Sequence, residues 1–175
     1  MTIASPRMTL ARPSLATGAL VLGLLMAATV GGALLFEHVG GYIPCKLCLA
    51  QRTPYYIGVP VMLSAALVFR TGPQWVARAL VAVGGALMLY GLYLGVYHSG
   101  VEWGWWPGPT DCGAVAGGID AMSSGNLLDS IDAVRPPSCD QAALRVAGLS
   151  FAGWQAVAAL GLAAGSGWLL HASRR

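Results

Sequence analysis

Four stretches of this chain run without a single charged residue: Leu15 to Phe36, Thr53 to Phe69, Ala79 to Tyr97 and Gly148 to Leu170. A helix needs about 20 mostly apolar residues, roughly 17 to 25, to cross the hydrocarbon of a bilayer. Each stretch meets that length, so the expected fold is an all-α membrane protein, a four-helix bundle in one domain spanning residues 1–175. Composition agrees, with 56% hydrophobic and 10% charged residues, against about 25% charged in an ordinary soluble domain. No basic patch interleaves with aromatics, which argues against nucleic-acid binding. A phosphate-cradling glycine loop, HExxH and Gly-x-Ser-x-Gly are likewise missing from the sequence.

The second stretch is the shortest and contains Pro54 and Pro60. Thr53 is the expected N-cap there, with Pro54 in the first helical turn and Pro60 kinking the span. Arg7 and Arg12 ahead of the first stretch resemble the start of a secretory signal. That stretch is longer than a usual signal core and no small-residue cleavage site follows, so a retained helix is expected.

Charge sets the orientation. Arg7 and Arg12, Arg70 and Arg78, and Arg174 and Arg175 occupy three regions on one side, without an acid among them. All seven acids fall on the other: Glu37, then Glu102, Asp111, Asp120, Asp129, Asp132 and Asp140. The positive-inside rule therefore places both termini in the cytoplasm and two loops, about 37–52 and 98–147, outside. Trp75, Trp103, Trp105, Trp106, Trp154 and Trp168 lie near span ends, where amphipathic rings settle. Gly91 and Gly95, and Gly161 and Gly165, form small-xxx-small pairs suited to close packing within the bundle.

The four cysteines are Cys45 and Cys48 in the first outer loop and Cys112 and Cys139 in the second. Disulfides form and persist on that side of the membrane. A Cys112–Cys139 bridge would close a loop of about 28 residues and constrain the open chain by roughly 3.5 kcal/mol, so a structural staple is a reasonable reading there. A Cys45–Cys48 ring removes little chain entropy; the value of Cys-x-x-Cys lies in reactivity, since each thiol can resolve a mixed disulfide formed by its neighbour. Zinc is the other structural alternative, with His38 or His98 as substitute ligands, but two short-spaced pairs are the usual pattern. Lys46 between the thiols and Arg52 after them favour a thiolate. Arg52 shares a face with Cys48 if that stretch is helical, or else it snorkels to the membrane surface.

Cys45-Lys-Leu-Cys48, followed by Gln51-Arg52-x-Pro54-Tyr55-Tyr56, with four spans and two further loop cysteines, resembles the disulfide bond formation protein B (DsbB) family. The resemblance covers nearly the whole chain. It implies an enzyme of the bacterial inner membrane that oxidises thiols and reduces a quinone, with ubiquinone expected ahead of menaquinone. A periplasmic thioredoxin-fold oxidase (DsbA-like) would deliver electrons to Cys112–Cys139, and that pair would be reoxidised by Cys45–Cys48. By the family pattern Cys112 meets the partner and Cys139 exchanges with Cys45. Cys48 is the thiolate stacked on the quinone, with Arg52 and His98 beside it. No metal is implied.

Ile119, Met122, Leu127, Leu128 and Ile131 approximate helical spacing and suggest a short helix lying on the membrane surface. The Trp103-Gly-Trp105-Trp106 run is expected to anchor the start of that loop. Two other readings compete. A vitamin K epoxide reductase-like enzyme would carry its quinone-facing Cys-x-x-Cys after the loop cysteines, whereas here it comes first. A non-catalytic scaffold with two structural disulfides would resist mild reductant.

Overall fold

The computed structural model describes residues 12–109 and 139–174, with side chains from Leu15 onward. Cys112 and the 119–131 segment lie outside the described residues. Among the described residues four helices carry the fold: α1 (Arg12–His38), α2 (Lys46–Thr71), α3 (Gln74–Glu102) and α4 (Phe151–Ala172). A two-stranded antiparallel hairpin, β1 (Arg145–Val146) and β2 (Leu149–Ser150), leads into α4. Ala147 and Gly148 turn that hairpin with φ of 51° and 83°, the positive-φ pair that a two-residue turn between twisted strands requires.

α1 packs on α2, α2 on α3 and α3 on α4, with a smaller contact closing α4 back onto α1. The short Gly72-Pro73 connection makes α2 and α3 antiparallel neighbours; Gly72 N–H bonds Val68 O at 2.9 Å and Pro73 caps α3. Inside the bundle lie Leu15, Met26, Tyr55, Met62, Phe69, Val81, Met88 and Leu169. Leu24, Leu67, Leu89, Tyr93 and Leu160 point outward. Such an apolar exterior over a core of small residues and methionines suits lipid rather than water. Two helices, Leu15–His38 and Gln74–Glu102, are long and apolar enough to cross a membrane.

Gly95 shows why small residues line the α3–α4 seam. A Cβ there would stand 3.0 Å from the Ala156 Cβ and 3.1 Å from its Cα, so the backbones meet closely. Gly91 faces Gln155 and Ala159 in the same seam, and Pro54 of α2 beside it. The second glycine pair does not behave alike: Gly165 faces Leu22 of α1, while Gly161 has open space beside it.

Four boundaries at the thiol-bearing end differ from expectation. α2 begins at Lys46, not at Thr53, because Cys45 takes the N-cap position and its sulfur accepts the Cys48 N–H. Pro54 and Pro60 are therefore interior. Pro54 forfeits a backbone hydrogen bond, but its ring is fully buried and packs toward Gly91, and the helix continues through it. α1 runs past Phe36 to include Glu37, and α3 runs past Tyr97 to include His98 and Glu102. α4 begins only at Phe151, where the Ser150 hydroxyl accepts Gly153 N–H at 3.2 Å.

Trp106 stacks on Tyr97 with centroids 6.1 Å apart and donates from Nε1 to Tyr97 O at 2.8 Å. Trp103 and Trp105 meet edge to face and stay largely exposed.

Candidate redox centre

The centre starts at the cap of α2. At the N-cap Cys45 is extended (φ −75°, ψ 169°), which brings its sulfur to 3.2 Å from the Cys48 N–H. A serine or aspartate oxygen usually fills this place. A sulfur here meets unpaired helix N–H groups and the positive end of the helix dipole, both of which favour a thiolate. Both cysteines are free, with their sulfurs 2.7 Å apart. They therefore titrate as one unit sharing a proton. The Cys48 hydrogen bond, aided by His98 and the Cys48 N–H and opposed by burial, holds Cys45 down to about 4. Cys48, in the first turn and ahead of the apolar segment, moves the other way. The bond to Cys45 pushes it up, burial adds to this, and Arg52 works against it. The negative charge of the reduced pair thus rests on Cys45.

His98 reaches this pair from the last turn of α3. Its Nε2 lies 3.7 Å from Cys45 Sγ and 3.9 Å from Glu102 Oε1, while Nδ1 lies 2.7 Å from Gln51 Nε2. Gln51 also reaches Leu94 O at 3.5 Å. All of His98, Gln51 and the Glu102 carboxylate are buried, and Glu102 Oε2 has no hydrogen-bond partner. The donor atoms of Cys45, Cys48 and His98 lie within 4.8 Å of one another. Two thiolates on one tetrahedral zinc stand about 3.8 Å apart given Zn–S of about 2.3 Å, wider than the sulfurs here. His38 is elsewhere, bonding Leu34 O of its own helix at 3.0 Å.

Cys45, Cys48, Arg52 and His98 all line one cavity of about 460 Å³. Its walls are mostly apolar, drawn from α1 (Ala28 to Glu37), the start of α2, the end of α3 and the start of α4. Arg52 is largely buried and pairs with Glu37 of α1, and its Nη2 lies 3.5 Å from Ala33 O. One helical turn separates Arg52 from Cys48, and both line the cavity. Phe36, Tyr42 and Phe151 form an aromatic group, with Phe36 and Phe151 centroids 4.8 Å apart. From α4, Gln155 donates to Gly91 O at 3.1 Å and lies 3.4 Å from the Tyr55 hydroxyl. Of the tryptophans, Trp154 lines the cavity, whereas the 103–106 run does not.

Cys139 is disulfide-bonded and fully buried. It packs in one apolar cluster with Cys45, Leu47 and Val101, against which Cys48 and Tyr97 also lie. The second loop thus brings a disulfide sulfur to the N-terminus of α2.

Sequence reasoning gave no site role to Glu37, Gln51, Tyr55, Glu102 or Gln155. Two signals were available. Gln155 is a large polar residue inside an uncharged span, where such residues mark function. Glu102 stands four residues after His98, a spacing that shares a helix face.

The family model described as "Disulfide bond formation protein DsbB" matches residues 16–169, most of the chain. An uncharacterised protein of Rickettsia prowazekii (strain Madrid E), RP370, is 24% identical over 131 residues, covering 75% of this chain and 73% of its own length. No solved structure matches significantly. The family comprises membrane oxidoreductases of disulfide bond formation that work with a quinone and a thiol oxidase. A free thiol pair at a helix cap, a second-loop disulfide packed against it and a cavity between apolar helices are what that chemistry requires; the chain belongs to the DsbB family.

Proposed function

We propose that this protein reoxidises a periplasmic thioredoxin-fold dithiol oxidase and passes the electrons to a membrane quinone, ubiquinone ahead of menaquinone. In this reading the whole chain is one four-span domain of the bacterial inner membrane, with both termini cytoplasmic and both thiol loops periplasmic. The observation that carries it is the meeting of both described thiol elements: Cys139 packs with Cys45, and Cys45 and Cys48 open onto the cavity beside Arg52.

Exchange proceeds by thiolate attack on a disulfide sulfur. A thiolate of the partner attacks Cys112, the Cys112–Cys139 bond breaks, and Cys139 leaves carrying the electron pair. Cys139 then attacks Cys45 of the Cys45–Cys48 disulfide, and Cys48 leaves as the thiolate facing the cavity. The partner's second thiolate then attacks the partner's own sulfur in the mixed disulfide, which forms the partner disulfide and expels Cys112 as a thiolate; Cys112 attacks Cys139 and releases Cys45. Two electrons and two protons pass from partner dithiol to acceptor, and both pairs end oxidised.

The cavity fits a quinone head: its volume lies in the range of small-molecule sites, about 300–1,000 Å³, with apolar walls and few polar groups. Arg52 would hold a quinone oxygen by charge-assisted hydrogen bonding, with the aromatic group of Phe36, Tyr42 and Phe151 against the ring. A bound quinone supplies a two-electron, two-proton acceptor. Arg52 is kept in place by Glu37 and Ala33 O, so its position requires no rearrangement on binding.

The test mixes purified protein, quinone and reduced partner and follows quinone absorbance. Loss of absorbance above the no-enzyme control is expected. No loss above that control, with the partner reduced and the protein folded, would refute the relay.

A further inference from the structure

Gln51, standing between the thiol pair and Arg52, has no part in the relay described above, yet it is 5% exposed and ties α2 to α3. A side-chain amide nitrogen only donates, and a backbone carbonyl only accepts. Gln51 Nε2 faces Leu94 O at 3.5 Å, which sets the amide with its nitrogen toward α3. The same nitrogen stands 2.7 Å from His98 Nδ1, so Nδ1 must accept. A ring with an accepting Nδ1 is neutral and carries its proton on Nε2. That nitrogen faces two acceptors, Cys45 Sγ at 3.7 Å and Glu102 Oε1 at 3.9 Å.

We propose that Gln51 is a positioning residue that holds His98 in the Nε2–H tautomer, directing its one proton at the Cys45 sulfur. The consequence for turnover rests on the relay reading. When a Cys112 thiolate attacks Cys139 in the Cys139–Cys45 mixed disulfide, the Cys112–Cys139 bond forms and the Cys139–Cys45 bond breaks. The electron pair goes to Cys45 Sγ, and the Nε2–H donates to it. A thiolate enters and a thiolate leaves, so charge and protons balance. A better-stabilised leaving sulfur departs faster. While Cys45 is in a disulfide, and a weak acceptor, Glu102 Oε1 takes the same N–H. His98 thus serves the thiol relay, where the resemblance places it beside the quinone.

The titratable groups around Cys45 are Cys48 at the start of α2 and His98 and Glu102 on α3. Arg52 and Glu37 pair with each other, and Cys139 is in a disulfide. The experiment uses reduced, full-length, ¹⁵N-histidine-labelled protein in detergent, and needs neither quinone nor partner. Failure of the relay would therefore leave both readouts standing. Histidine ¹⁵N–¹H correlation spectra should show His98, identified by its loss in His98→Phe, as neutral and protonated on Nε2. Gln51→Glu keeps the side-chain size but can only accept, so it should place a proton on Nδ1. Gln51→Leu should give mixed tautomers. It should also move the pH midpoint of Cys45 alkylation up by about one unit, with the site mapped by peptide mass spectrometry. A wild-type Nδ1–H, a Gln51→Glu ring still protonated on Nε2 alone, or an unchanged pH midpoint of Cys45 alkylation in Gln51→Leu would each overturn the proposal.

Discussion

The two ends of the bundle are built from the same four helices by opposite means. At one end the start of α1, the end of α2, the start of α3 and the end of α4 close on Leu15, Ala16, Phe69, Ala77 and Leu169, all almost fully buried. At the other end the same helices leave a cavity of about 460 Å³ and line it with Glu37, Cys45, Cys48, Gln51, Arg52, His98, Glu102 and Gln155. Close apolar contact holds the first end, and each ring or methylene removed leaves a void. Hydrogen bonds between helices hold the second, where a polar group without a partner is costly. The difference separates stability from chemistry: the closed end can be weakened without touching the thiols, and the open end can be disarmed without unfolding the protein.

The sharpest way to break this comparison is Cys48→Ser. It removes the proposed donor from the open end and should bring quinone reduction to the no-enzyme level in the absorbance assay. Turnover at the wild-type rate would show that the cavity is not where the acceptor is reduced. At the closed end, Phe69→Ala should lower unfolding stability by about 3–5 kcal/mol, read as an earlier midpoint in a denaturation series. The folded fraction should retain its apparent quinone affinity; a lost affinity would mean that the two ends are coupled.

Arg52→Ala should raise the KM for quinone about tenfold, about 1.4 kcal/mol, while exchange between the two cysteine pairs, followed by alkylation trapping, stays near wild type. An unchanged KM would reduce Arg52 to the structural partner of Glu37. The smallest effect concerns pH. Held down to about 4 by Cys48 and His98, Cys45 of the reduced protein is a thiolate above that value and becomes a thiol only as pH falls through it. Its alkylation rate should therefore stay nearly flat from pH 8 to about 5, where an ordinary thiol would lose about tenfold per unit. A tenfold decline per unit across that window would return the charge to neither sulfur.

Legibility in the sequence follows the same division. The apolar runs announced four helices, because a span has a length and a composition that one stretch carries by itself. Cys45, Cys48, Arg52 and His98 were identifiable from residue type, spacing and resemblance, and the cavity brings these four together. The start of α2 lies two turns ahead of where the sequence suggests it. Thr53-Pro54 has the residue types of a helix start, whereas Cys45 at the true cap does not. Glu37 reads as a loop residue because its charge ends an apolar run, although α1 continues through it and pairs it with Arg52.

By itself the sequence determined that four apolar helices run through the chain, which sulfurs stand three apart, and that a glutamine interrupts the last span. These are properties of local composition and period. Only the tertiary structure decided that His98 stands by Cys45, that Gln51 faces its other nitrogen, and that Cys139 packs beside the cap of α2. Each of those contacts joins residues more than 40 positions apart, and helical periodicity says which face a residue is on without saying which helix that face meets. Helix packing supplies that information, through close approaches such as Gly95 on Ala156 that settle how far each helix slides against the next.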